Sequence, residues 1–165
     1  IFNCHSLVAI SFPALLICCN PADEEEEEGP GQHACEHIDE AGEALTAGAT
    51  IDAAVPIELS DEPYDVTLVE DGAGTYVGFV ELDVDEAMGA LLFVDTADLV
   101  TGLYLAEAEE PLPESSPNDS CADDIPEHWH LDLTSGDWQI ELGPSAIDSL
   151  WLMLMSAEGH EHEHD

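Results

Sequence analysis

The stretch Glu127-His128-Trp129-His130-Leu131-Asp132-Leu133, followed by Thr134-Ser135-Gly136-Asp137 and then Trp138-Gln139-Ile140-Glu141-Leu142, decides the fold class. With period two, Trp129, Leu131 and Leu133 share one face and His128, His130 and Asp132 the other, the pattern of a strand with one side in a core. Thr134 to Asp137 is a turn signal, and the second arm alternates in the same sense. Closed by that loop, the arms are expected to form a hairpin in which Leu133 faces Trp138 and His130 faces Glu141. One side of the pair is then core, and the other presents His128, His130, Asp132 and Glu141.

Runs of the same kind recur on both sides of this stretch. Strands are predicted near 49–55, 64–69, 75–82, 90–95, 102–107, 128–133, 138–142 and 150–156. Turn residues separate them, among them Asp61-Glu62-Pro63, Asp71-Gly72-Ala73-Gly74 and Gly143-Pro144. About eight short strands with no long amphipathic helix predict an all-β protein, an antiparallel β-sandwich over 33–157. Leu150 to Met155 is apolar on both faces, so it is expected to be a central strand or one covered on both sides. Short helices remain open at 36–47 and 83–89, and 107–125, rich in Pro, Glu, Ser and Asp, reads as a long acidic loop pinned by Cys121.

The chain carries 39 acidic residues, no lysine and no arginine, for a formal charge of -39. No carboxylate has a permanent cation to pair with, so self-repulsion is relieved only by salt, bound cations, protonation or imidazolium. Phosphate recognition needs lysine or arginine, so nucleic acid is excluded as a direct partner, and phosphorylated ligands and acidic lipid headgroups are disfavoured. Hydrophobic residues nevertheless make up 45% of the chain, so it folds rather than remaining a disordered polyanion.

Leu7 to Ile17 is apolar, too short to span a bilayer as a helix but suited to the apolar region of a secretory signal. With Cys18 and Cys19 directly after it and an acidic low-complexity stretch beyond, it resembles a bacterial lipoprotein signal. That resemblance implies lipidation at Cys18 or Cys19 and anchoring to a membrane at the periplasmic or cell-surface side. An ordinary secretory signal cut nearby, or a buried strand, is the alternative. Residues 1–19 are thus read as the signal, 20–32, with its run Glu24 to Glu28, as an extended acidic tether, and 158–165 as a tail. Cys35 and Cys121 are the other two cysteines outside that segment, and an exported chain is expected to join them as a disulfide worth about 4 to 5 kcal/mol. The rival reading makes Cys35 a metal ligand with His33 and His37.

Cys35-Glu36-His37, Tyr64-Asp65-Val66-Thr67-Leu68, Thr75-Tyr76-Val77-Gly78-Phe79 and the run from Gly136 to Pro144 resemble uncharacterised bacterial lipoproteins. Their sandwich is similar to the bacterial pre-peptidase C-terminal type, in which a Gly-Asp-aromatic turn leads into a late strand. The resemblance implies a non-catalytic extracytoplasmic β-domain.

Histidines at i and i+2 on a strand point the same way, about 6 to 7 Å apart, close enough to share one ion. His128, His130 and Glu141 therefore form a candidate site for zinc or copper, with nickel of the same chemical kind. The tail Gly159-His160-Glu161-His162-Glu163-His164-Asp165 contains His-Glu-x-x-His, but at the terminus it lacks a downstream third ligand. His160, His162 and His164 are instead expected to scavenge borderline metals. Glu81, Asp83 and Asp85, and the group Asp61, Glu62 and Asp65, are weaker candidates for calcium. A nucleophile elbow, a phosphate loop and any lysine for covalent chemistry are missing, so an enzyme is not expected. The expected function is an extracytoplasmic, lipid-anchored acidic protein that binds divalent cations. The alternative is a non-catalytic interaction module displayed to a protein or polysaccharide partner.

Overall fold

A computed structural model describes residues 29–157. A short helix α1 (Pro30–Glu36) leads into β1 (Glu43–Thr46), a single 3-10 turn (Ile51–Ala53), β2 (Val55–Ile57), β3 (Tyr64–Thr67), β4 (Val69–Glu70) and β5 (Tyr76–Val84). There follow β6 (Met88–Val94), β7 (Val100–Leu105), β8 (Ala108–Glu110), β9 (Ser116–Pro117), β10 (Glu127–Leu133), β11 (Gly136–Ser145) and β12 (Ser149–Ser156). Sheet A runs β1-β3-β12-β6-β10-β9, and sheet B runs β2-β5-β11-β7-β8 with β4 beside β5. The two pack face to face as an all-β sandwich, mostly antiparallel, with parallel pairs among the described residues between β1 and β3 and between β2 and β5.

The hairpin expected at 127–142 is not formed. β10 pairs with β6 and β9, whereas β11 pairs with β5 and β7, so the two arms lie in opposite sheets. Trp129, Leu131 and Leu133 then face Trp138, Ile140 and Leu142 across one core instead of lying beside them on one face. Alternation is identical in the two arrangements, and burial decides between them: an arch sandwiches both apolar faces at once, while a hairpin leaves them in one plane. Gly136 supplies a φ of 139° at the crossing, and the Trp138 indole donates from Nε1 to the Thr134 carbonyl at 2.7 Å. The same change of sheet occurs from β5 to β6, from β6 to β7 and from β11 to β12. The positive φ angles of Ala106 and Glu107 instead close a hairpin between β7 and β8.

Seven of the eight predicted strands coincide with observed ones to within a few residues. The eighth, 49–55, is the 3-10 turn followed by β2, because Gly48 packs against the Ala53 carbonyl and turns the chain there. Neither 36–47 nor 83–89 is helical; the helix lies earlier, and it takes in Pro30 to Gln32 of the stretch read as tether. The loop 107–125 contains the short strands β8 and β9.

β12 lies between β3 and β6, and Leu150 to Met155 are all buried. Its inner residues Leu150, Leu152 and Leu154 belong to the core between the sheets. Its outer residues Trp151, Met153 and Met155 join Leu91 and Phe93 beneath a cap of Ala34, Ile38, Cys121 and Ile125. The Cys35–Cys121 disulfide ties the two halves of that cap together. Asn118, only 3% exposed, donates from Nδ2 to the Gly31 carbonyl at 3.4 Å.

Candidate cation-binding face

The outer face of sheet A is built from cross-strand rows. Antiparallel partners point to the same side, so Met153, Phe93 and His128 form one row and Met155, Leu91 and His130 the next. The His128 ring stacks on Phe93, with centroids 5.2 Å apart and planes 21° off parallel. Its Nδ1 is buried without a hydrogen-bond partner. Burial, and then the nearby His130, hold the His128 imidazole below its ordinary pKa, so it resists protonation.

His130 is exposed and sits where β6 leaves a gap. A Cβ on Gly89 would meet His130 Nε2 at 3.2 Å and the Ala157 Cβ at 3.1 Å, so the imidazole fills the space a side chain would occupy. Ala157 N–H donates to the Gly89 carbonyl at 3.0 Å. His130 and the point where the chain runs on toward its histidine-rich end therefore share one glycine.

Glu141 is not part of this group. It alternates with the buried Ile140 and Leu142 on β11, so its side chain faces outward from sheet B, and the sandwich, about 10 Å between sheets, separates it from His130. There it accepts a hydrogen bond of 2.7 Å from the Tyr104 hydroxyl. That bond, then burial and the charges of Glu141 and Glu109, push the Tyr104 phenol up to about 12. Gly102 makes the pair possible, since a Cβ there would lie 2.7 Å from Glu141 Oε2 and 2.8 Å from a Tyr104 ring carbon.

The disulfide consumes Cys35, so the alternative in which it ligates a metal with His33 and His37 does not apply. Those two rings meet edge to face at 4.7 Å, and His37 Nδ1 lies 2.8 Å from Glu40 Oε2. His33 Nε2 is 4.0 Å from Asp61. Of the weaker candidates, Glu81 accepts from the buried Gln139 at 2.8 Å, Asp83 is exposed beyond it, and Asp65 is drawn away from Asp61 and Glu62 onto sheet A. Among the described residues, no group of three or more His, Cys, Asp or Glu converges tightly enough to hold one metal ion. His160, His162, His164, Cys18 and Cys19 lie outside the described residues.

Sequence reasoning missed a cleft of about 600 Å³ at the other end of the same face. Trp151 lines it with Asp65, Asp95, Asp123, Asp124 and Glu40. Asp65 is the direct cross-strand partner of Trp151, and the Asp95 N–H reaches the Trp151 carbonyl at 3.3 Å. The apolar run of β12 masked this tryptophan as core, and only its strand neighbours reveal the acidic surround.

The disulfide is the kind that forms and persists in an oxidising, extracytoplasmic compartment. Among the described residues no helix is long and apolar enough to cross a membrane. No family model and no curated protein sequence matches the chain.

Proposed function

We propose that this is a non-catalytic, extracytoplasmic cation-binding protein, held at a membrane by a lipid on Cys18 or Cys19. Its divalent ions, zinc or copper by donor type, are taken by His130 together with His160, His162 and His164, with His128 beside them. One observation carries the reading: Gly89 brings His130 Nε2 and Ala157 to the same spot, and His160 follows Ala157 by three residues, a reach of about 10 Å. Glu141, on the far face, contributes only to the negative field that concentrates cations.

Calorimetric titration of the full chain with Zn²⁺ and Cu²⁺ tests this. A saturable site is expected that weakens about tenfold or more in His130→Ala and again when the three tail histidines become alanine. An absence of any saturable site overturns the reading, and so does a His130→Ala variant that binds like the parent. Imidazole protonation competes with metal, so affinity is expected to fall on acidification.

A further inference from the structure

The outer face of sheet B differs in kind from the histidine face of sheet A, because it joins aromatic rings to carboxylates. Phe79 on β5 and Glu141 on β11 are cross-strand partners, and Tyr104 on β7 is the partner of Gln139, so all three side chains point away from the core. Tyr104 leans back over Gly102, the residue beside Glu141, and its hydroxyl donates to Glu141 Oε2 at 2.7 Å. The Phe79 and Tyr104 rings have centroids 6.5 Å apart and planes 54° from parallel. The Glu141 carboxylate thus stands beside two aromatic rings, and all three residues are partly exposed. Around them lie Glu81, fixed by Gln139 at 2.8 Å, then Asp83, Asp137 and Glu109. The chain has no lysine or arginine to set against these acids, so the complement of this face is a cation with an apolar skin.

We propose that this face binds a free alkylated ammonium cation, a small molecule of the choline type, over Phe79 and Tyr104 with Glu141 as its counter-ion. An aromatic ring attracts a cation within about 6 Å of its centroid, and centroids 6.5 Å apart let one ammonium group lie that close to both. Donation by the Tyr104 hydroxyl to a carboxylate leaves its ring richer in electrons, which strengthens the attraction. The rings offer no acceptor for N–H groups, so a fully methylated nitrogen, with none to satisfy, suits them better than a primary ammonium. A phosphate tied to the ammonium would be repelled by Glu81, Glu109 and Glu141, which favours a free cation over a choline lipid headgroup. Glu141 takes no part in holding the divalent ion, and the sandwich lies between this face and His130, so the two sites are tested separately.

The test titrates the full chain with choline chloride at constant ionic strength. The comparisons are ethanolamine, phosphatidylcholine vesicles and the uncharged isostere of choline in which a tert-butyl group replaces the trimethylammonium. Nuclear magnetic resonance follows the N-methyl protons, which shift upfield over ring faces and cross-relax with the ring protons of Phe79 and Tyr104. Choline is expected to saturate with both signatures. Phe79→Leu and Tyr104→Leu are each expected to weaken it about twofold to fivefold. Glu141→Gln is expected to weaken it about threefold or more. Asp65→Asn removes the same charge from sheet A and is expected to leave affinity within about twofold. Absence of an upfield shift, equal weakening by Asp65→Asn and Glu141→Gln, or equal or tighter binding of the isostere, ethanolamine or the vesicles overturns the proposal. Circular dichroism identifies any variant that fails to fold, and for such a case cross-relaxation in the parent decides.

Discussion

Replacing Cys35 and Cys121 by alanine is the perturbation whose size follows most directly from the fold. The bond joins residues 86 apart in sequence, so it closes most of the described chain into one loop. Chain entropy for a loop of that length gives a loss of about 4 to 5 kcal/mol when the link is removed. Small domains have a net stability of about 5 to 15 kcal/mol, so the loss is a large part of the whole. The structure adds where the damage is seen first. The link holds α1 and the segment around Ile125 over Phe93 and Met153, both fully buried, and over Trp151 and Met155. Urea denaturation followed by far-ultraviolet circular dichroism, at one fixed salt concentration, measures the loss. Hydrogen exchange is expected to rise first in 30–38 and 118–126, with the inner core protected. A loss under about 1 kcal/mol would refute the reasoning, because the cap would then be held by packing alone and the cross-link would constrain nothing in the unfolded chain.

The remaining predictions concern charge. With 39 carboxylates and no lysine or arginine, the melting temperature is expected to climb as ionic strength rises from low to physiological, and a flat profile contradicts unrelieved repulsion. The folded state holds His128 below its ordinary pKa of 6.5, so below that pH the unfolded chain binds the extra proton and His128 costs stability. This opposes the gain from neutralising carboxylates. His128→Phe, which keeps a ring on Phe93, is expected to gain more stability than the parent between pH 7 and pH 5, and identical slopes would show that His128 does not titrate differently on folding. The Tyr104 phenol, pushed up to about 12, contributes stability that is complete below its ordinary value of 10.0 and lost as pH rises through 12. Gly102→Ala displaces Tyr104 from Glu141 and is expected to bring that ultraviolet titration back toward 10, at a stability cost of about 1 kcal/mol shared with Tyr104→Phe. A Tyr104 titration unchanged in Gly102→Ala would rule out the glycine's role.

Strand identity was legible because alternation survives any pairing: Trp129, Leu131 and Leu133 are buried whichever strand lies beside them. Pairing was not legible, because local pattern does not distinguish an arch from a hairpin, and Glu141 fell out of the candidate site for that reason. The central place of β12 followed from its two apolar faces, one for the core and one for the cap. The disulfide was readable from the two cysteines outside the signal-like segment and the oxidising compartment expected for an exported chain. The contact between His130 and Ala157 was not, since it depends on Gly89, a residue distant in sequence from both and notable only for lacking a side chain. The cleft lay hidden for a similar reason, its five acids being scattered from Glu40 to Asp124.

The outermost strands carry a consequence of their own. Each sheet ends on one side with a strand containing proline, Pro117 in β9 and Pro56 in β2, and on the other with a short strand bearing glutamate, Glu43 in β1 and Glu109 and Glu110 in β8. Proline withholds a backbone donor at every pH, but glutamate deters an incoming strand only while it is ionised and unscreened. Acid or concentrated brine therefore unlocks one border of each sheet while the other stays shut. The conditions that calm the molecule's internal repulsion are thus also those that strip the charged guard from one border of each sheet.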